Sequence, residues 1–404
     1  MEIKEIRNEF PQLSRTVYGK PLVYLDNAAT ALKPRSVMAC YEHLAAEVSS
    51  NIHRSVHRVS NEATAEFENA RKRVAEFLNA PSERNIVFTS GTTDSINLIA
   101  SSYGQAFIGR GDEIVISEQE HHSDIVPWQM LAERTGAVIK VWKLEDDLRL
   151  GPSSLEKLLG PKTKIVCVSH ASNVLGIVTP IKEICALCHR HNIPVCVDGA
   201  QGIVHCKVDV QDLDCDFYSF SGHKIYAATG TGVMYAKAKW LEQMPPYRGG
   251  GEMIADVTWE RTTYADYPFK FEAGTPNITS VPTLVPAIEM LEQMRSLEES
   301  SAAVASYVLD ALQSDKRITL YGDSSSEKLP IFSFAVKGAH QEDLALVLDK
   351  MGVALRSGEM CAAPLMHRLR VTGLLRASFA PYNTIEEARY FVECLGKAIE
   401  MLTI

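Results

Sequence analysis

The segment KIVCVSHASNVLGIVTPIKEICALCHRHNIPVCVDGA, residues 164–200, decides the fold. Two apolar, β-branched runs, KIVCVSH (164–170) and PVCVDGA (194–200), bracket a stretch near 180–191 whose apolar residues recur at helical spacing. Strand, helix and strand in that order form a βαβ unit. The runs are apolar throughout instead of alternating with polar residues, as in a parallel sheet covered on both faces. Upstream the pattern repeats. NIVFT (85–89), EIVIS (113–117) and VIKVW (138–142) have strand length, and helical stretches near 92–102, 124–135 and 153–159 fall between most of them. The fold class is therefore α/β, with ligands expected at the carboxyl ends of the strands.

After FEAGTPN (271–277) a long amphipathic helical region, roughly 281–313, precedes ITLYG, IFSFAVKG, VALRSG and RASFAPYN with helices between and after them. This reads as a second lobe. A chain of 404 residues, 46% of them hydrophobic, has enough material for two cores, since single cores stop growing at roughly 250–300 residues. No repeat, low-complexity tract or Pro-rich linker separates the lobes, so they are expected to share a cleft. The first 25 residues can join either one.

The net charge of -9 comes without a basic block, which argues against nucleic acid as a partner. MEIKEIRNEF lacks a signal-peptide core, and no apolar run approaches the ~20 residues of a membrane span, so the chain is expected in the cytoplasm and off the membrane. Nine cysteines make a disulfide framework improbable and an exposed thiol notable.

Several short segments carry groups able to do chemistry. Ser219-Phe220-Ser221-Gly222-His223-Lys224 sets one lysine among small and hydroxyl residues, which suits a phosphate-bearing ligand and a covalent amine. Such an amine has to lose its proton, which burial or a cationic neighbour promotes; a solvated surface lysine is the plain alternative. Asp198 closes the run Val195-Cys196-Val197, where a buried carboxylate needs a cation or hydrogen bonds, although a capping aspartate looks the same. Gly91-Thr92-Thr93 offers free N–H groups to a phosphate at a helix amino terminus, or an ordinary cap. His121, in Glu120-His121-His122-Ser123-Asp124, can stack on a flat ring or shuttle protons, or belong to a metal site or capping turn. Asn173 can donate to a ligand oxygen or simply hold a turn. Arg376 can clamp a carboxylate or form a structural ion pair.

Cys361 follows a glycine in the loop-like stretch Arg356-Ser357-Gly358-Glu359-Met360-Cys361-Ala362-Ala363-Pro364, whereas Cys167 and Cys196 lie within strands. Chance placement remains open on these residues alone. Cys185-Ala186-Leu187-Cys188-His189 matches a haem-attachment pattern, but it lies within a helical stretch, and burial on the helix's inner face is the expected reading. No metal is expected.

Taken together, YLDNAAT, NIHRSVH, SGTTDSINL, EHHSDIVPW, SHASNVLG, VDGAQG, DFYSFSGHK, GGGEMI, FEAGTPN, RSGEMCAAPL and LRASFAPYNT resemble, in order and nearly end to end, the group II cysteine desulfurases and selenocysteine lyases. These belong to the class V aminotransferase branch of fold-type I pyridoxal-5'-phosphate (PLP) enzymes. The resemblance implies a large PLP-binding domain over 26–280 with a mostly parallel seven-stranded sheet, and a smaller α+β domain of 1–25 and 281–404 carrying the cysteine loop.

By the same resemblance Lys224 holds PLP covalently, Asp198 pairs with its ring nitrogen, His121 stacks over the ring, and Asn173 and Gln201 flank its phenolic oxygen. Thr92, Thr93, Ser221 and His223 hold the phosphate, and Thr275 reaches the phosphate of a partner subunit in an obligate homodimer. Arg376, with Asn173 and His53, binds the substrate, and Cys361 accepts sulfur as a persulfide for an acceptor protein, serving Fe–S cluster assembly or another sulfur pathway. L-cysteine, selenocysteine and cysteine sulfinate are the implied substrates. Glu359 and Met360 stand where the family usually has His or Gln and then His, which leaves the thiol's tuning open, and Ser90 replaces a common basic residue. An aminotransferase or kynureninase-like enzyme is the alternative within this architecture. A non-catalytic sulfur-carrier or metal-binding scaffold is the alternative outside it.

Overall fold

The computed structural model describes residues 2–322 and 328–403. Seven strands form the main sheet: β1 (Ile86–Thr89), β2 (Glu113–Ser117), β3 (Val138–Trp142), β4 (Thr163–Ser169), β5 (Val195–Asp198), β6 (Phe217–Ser221) and β7 (Gly232–Ala236). Their order is β1-β7-β6-β5-β4-β2-β3. Only β7 runs antiparallel to its neighbours, β1 and β6; every other pair is parallel.

Period-two geometry explains the unbroken apolar runs. Val115, Val166, Val168, Val195 and Val197 point into one hydrophobic cluster, and Ile114, Ile116, Ile165, Cys167 and Cys196 into the cluster on the opposite face. Both faces are covered, so both sets are apolar. VIKVW differs because it lies at the sheet edge, where Val138 and Val141 are exposed and Lys140 pairs with Glu113 at 2.7 Å.

The carboxyl-terminal lobe is a four-stranded antiparallel sheet ordered 318–321, 331–336, 374–378 and 356–358. Helices Glu298–Ser314, Gln341–Lys350 and Ile385–Leu402 pack on it around Val308, Phe334, Leu348 and Phe391. The helix expected across roughly 281–313 is broken into Leu284–Met294 and Glu298–Ser314 by a 3-10 turn at Arg295–Leu297. That break separates two packing partners: Leu284, Ile288 and Leu291 join the large cluster, while Val304 and Val308 join the small lobe. The amino-terminal segment divides likewise, with Ile6, Phe10 and Leu13 in the large cluster and Val23 and Leu25 in the small one. No helix among the described residues is long and apolar enough to cross a membrane.

One buried ion pair ties the loop after the sheet to the sheet itself. Arg71, 2% exposed, donates to both carboxylate oxygens of Glu272 at 2.7 and 2.8 Å and to the Ile86 carbonyl at 2.9 Å. Its guanidinium lies 4.6 Å from the centre of the Phe88 ring, and Glu272 also accepts the Phe88 N–H at 2.7 Å. Arg71 also donates from Nε to Glu68 at 2.8 Å, so removing Glu272 leaves the buried guanidinium with one half-exposed partner and an unmet share of its donors. Glu272→Ala should therefore destabilise the fold by about 3 kcal/mol, measured as a lowered guanidinium midpoint, whereas Glu62→Ala on the exposed face of the same helix should leave the midpoint within the error of the measurement.

Candidate functional site

The carboxyl ends of β2, β4, β5 and β6 and the strand Leu374–Ser378 of the small lobe converge on a cavity of about 240 Å³. Thr92, Thr93, His121, Asn173, Asp198, Gln201, Ser221, His223, Lys224, Cys361 and Arg376 all line it. They come from separate stretches of chain that only the parallel arrangement brings to one edge.

Lys224 ends the 3-10 turn Gly222–Lys224 that follows β6. The turn is pressed against Thr231: a Cβ on Gly222 would lie 2.1 Å from the Thr231 Oγ1. Burial pushes the Lys224 amine below its ordinary pKa, with Asp198 opposing the shift. Asp198 closes β5, is 5% exposed, and accepts the Ala200 N–H at 2.8 Å. Burial raises its pKa, and Lys224 counters that. Next along the chain, Gln201 donates its amide to the Ala28 carbonyl at 2.7 Å.

Hydroxyls and backbone N–H groups cluster where helix Thr92–Phe107 begins. The Ser221 hydroxyl accepts the Thr92 N–H at 2.8 Å and bonds its side chain at 2.8 Å; Thr93 and Ser123 hydroxyls meet at 2.7 Å. His223 reaches Thr30 at 3.1 Å. A helix amino terminus ringed by hydroxyls is an arrangement that can hold an anion.

His121 caps the turn His122–Asp124, its Nδ1 accepting the Ser123 N–H at 3.1 Å. Burial first, then repulsion from Lys224, brings its pKa down to about 4, and burial does the same for His223, also to about 4. Both rings are neutral at physiological pH. Neutral imidazoles can bond or stack without adding charge beside the lysine.

The Cys361 loop is docked through its main chain. The His122 N–H donates to the Cys361 carbonyl at 2.8 Å, the Ala363 N–H donates to His122 Nε2 at 3.0 Å, and the Asn173 amide donates to the Met360 carbonyl at 2.9 Å. Met360 and Cys361 both occupy left-handed backbone conformations, with φ of 54° and 55°, which non-glycine residues adopt at a cost that the surrounding contacts offset. Met360 is buried with the large cluster and Glu359 is exposed. The two unusual residues of this loop thus face opposite environments.

Arg376, 2% exposed, donates to Asp26 at 3.2 Å and to the Asn173 carbonyl at 3.0 Å, while its Nε is buried with no partner among the described residues. An unmatched buried N–H on an arginine at a cavity is a standing demand for an anionic oxygen. Arg356, in register with Arg376 on the neighbouring strand, also lines the cavity.

His53 and Thr275 stand outside this single-chain cavity. His53 bonds Glu68 at 2.9 Å and packs edge-on against Phe67 and Phe269, and Thr275 is exposed in the loop after Phe271. Sequence reasoning missed Arg356 and the clamp formed by His122 and Asn173; the His121-His122 doublet was visible, but not which ring faces which side. Cys185 and Cys188 are fully buried on their helix, and His189 is bound by Asp216 at 2.7 Å and Asp214 at 3.0 Å.

The aminotransferase class-V family model matches residues 23–391. A cysteine desulfurase of Yersinia pestis (strain Pestoides F) is 43% identical over 403 residues, covering 99% of each chain. The crystal structure of the cysteine desulfurase CsdA (S-sulfonic acid) from Escherichia coli superposes with a TM-score of 0.91 at 39% identity, over 100% of this chain and 99% of that one. The apo cysteine desulfurase of Thermococcus onnurineus NA1 gives a TM-score of 0.92 at 35% identity, over 100% and 98%.

The depressed imidazoles lead to a direct check. Because His121 and His223 stay neutral until the pH approaches about 4, their NMR ring resonances should hold still from pH ~8 to ~5.5, whereas an unperturbed histidine titrates near pH ~6.5.

Proposed function

As a member of the class-V aminotransferase family, and within it of the cysteine desulfurases, this chain is a PLP enzyme; we propose that it carries the cofactor on Lys224 and passes the sulfur of L-cysteine to Cys361. The observation that supports this most is the sharing of one cavity by Lys224, Asp198, Arg376 and a clamped cysteine loop.

The donor set fits the cofactor. Lys224 supplies an amine whose basicity burial has lowered. Asp198 supplies a carboxylate, beside Lys224, for a ring nitrogen. Thr92, Thr93, Ser221 and His223 surround a helix amino terminus suited to the phosphate. Asn173 and Gln201 are assigned to the phenolic oxygen side, and His121 offers an uncharged ring to stack. When bound, PLP supplies an electron sink for negative charge developing at the substrate Cα.

The residues then divide the work. Arg376 takes the substrate carboxylate, its unmatched Nε being the donor available for it. Lys224, lowered in pKa, removes the Cα proton and later returns one. The Cys361 thiolate attacks the substrate sulfur: an S–S bond forms, the C–S bond breaks, and its electron pair stays with the carbon fragment, which gains a proton and leaves as L-alanine. The persulfide left on Cys361 goes to an acceptor protein, in Fe–S cluster assembly or another sulfur pathway.

The site is completed across a homodimer. Thr275, exposed in one chain, reaches the partner's phosphate, and His53 joins the substrate side. Selenocysteine is a second substrate, since selenium leaves without needing the thiol, and cysteine sulfinate a third. The enzyme works in the cytoplasm.

Single-turnover assays test this reading. Lys224→Ala should lose the visible cofactor band and both activities. Cys361→Ser should lose cysteine desulfuration by on the order of 10²-fold or more and keep much of its selenocysteine activity, with alanine measured in each case; full cysteine turnover by Cys361→Ser would sink the persulfide.

A further inference from the structure

Behind the cavity wall lie two carboxyl groups that the chemistry above does not use. Glu120 and Asp124 are both 0% exposed. Glu120 Oε1 accepts from the Ser117 hydroxyl and from the Ser169 N–H at 2.8 Å. Asp124 Oδ1 accepts the Trp128 indole N–H at 2.9 Å. The other oxygen of each, Glu120 Oε2 and Asp124 Oδ2, is buried without a donor among the described residues, and the two side chains are in hydrogen-bonding contact.

Two ionised carboxylates side by side in a dry site repel one another, and the Ser117, Ser169 and Trp128 donors relieve only one oxygen of each. The charged or titratable groups facing the pair are Asp198 and the thiols of Cys167 and Cys196, none of them a cation. A proton shared between the two carboxyl groups removes one of the two charges and supplies a donor where both lack one.

We propose that Glu120 and Asp124 share one proton at neutral pH and act as a single monoanionic positioning unit for the site in front of them. Their placement suits that role. Glu120 adjoins His121, and Asp124 closes the turn that His121 caps. The Ser169 N–H held by Glu120 belongs to the residue in register with Asp198. With one proton shared, Asp198 faces one negative charge instead of two, and so keeps its own charge more readily for a cationic partner. That last consequence rests on the function proposed above, whereas the shared proton does not.

Burial raises both carboxyl groups above the ordinary carboxylate range. A group raised on folding stabilises the fold fully below its unfolded pKa, and that contribution is lost as pH rises through the folded value. The unfolding midpoint of the full-length wild type should therefore fall as pH rises from ~4.5, the unfolded carboxyl value, to about 8, the value to which Glu120 is pushed up, and that of Asp124→Asn should fall less. The asparagine amide can donate to Glu120 and its oxygen still accept from Trp128, so the variant retains the local bonding.

Infrared difference spectroscopy gives the direct reading. Wild-type holoenzyme at pH ~7 should show a carboxylic-acid C=O band that shifts in D₂O and is lost in Asp124→Asn. The single variant keeps the unit's charge, so the pH midpoint of the visible cofactor band should stay where it is; the double variant Glu120→Gln, Asp124→Asn removes that charge and should move the midpoint to lower pH. The proposal fails if wild type lacks the acid band, or if the single variant moves the midpoint as far as the double. An acid band in a protein that never develops a visible cofactor band would instead overturn the PLP assignments and leave the shared proton standing.

Discussion

The desolvation of a few charged groups at one sheet edge is the constraint around which the molecule is organised. A parallel sheet covered on both faces forces the strand ends to carry whatever polar chemistry the protein has, because apolar side chains fill the sheet's interior. Asp198 ends up buried and Lys224 half-buried beside it, where water compensates neither fully. Each shifts the other's protonation, and His121 is held neutral by the same burial. The reactivity proposed for the site comes from this shared dryness more than from any one contact.

Much of the fold was legible because the pattern that specifies it is local. NIVFT, EIVIS, KIVCVSH and PVCVDGA announce strands through composition and length, and their abrupt polar ends announce the site edge. The residues that line the cavity could be nominated for the same reason, since most of them lie at or within a few residues after a strand's carboxyl end. Pairings across long sequence separation were not legible. Arg71 and Glu272 are two unremarkable charges until folding buries them together, and Arg356 becomes a cavity residue only through its register with Arg376. The break at Arg295–Leu297 was hidden because apolar spacing continues on both sides while the partner surface changes. Glu359 and Met360 were conspicuous in sequence as a departure around the cysteine. In space one points to solvent and the other anchors the loop, so adjacency along the chain overstated their kinship.

A buried polar network is costly when any member lacks a partner. The three carboxyl groups of Glu120, Asp124 and Asp198 lie behind or beside the cavity, while the arginines Arg356 and Arg376 line its small-lobe side. Carboxyl groups thus dominate one side and arginines the other, with Lys224 beside Asp198 and Asp26 beside Arg376 as the crossing members. A substrate bearing both an ammonium and a carboxylate has one orientation that matches this gradient and one that opposes it.

The clamp on the Cys361 loop has a consequence for how such an enzyme changes over generations. The hydrogen bonds that dock the loop onto His122 and Asn173 run through main-chain atoms of residues 360, 361 and 363, so the side chain at 361 takes no part in them. Its identity is limited mainly by the left-handed backbone at φ 55°, which disfavours β-branched residues. A single codon at that position changes what the loop offers to the cleft and leaves the scaffold untouched, which makes sulfur transfer and simpler elimination chemistry near neighbours in mutational space.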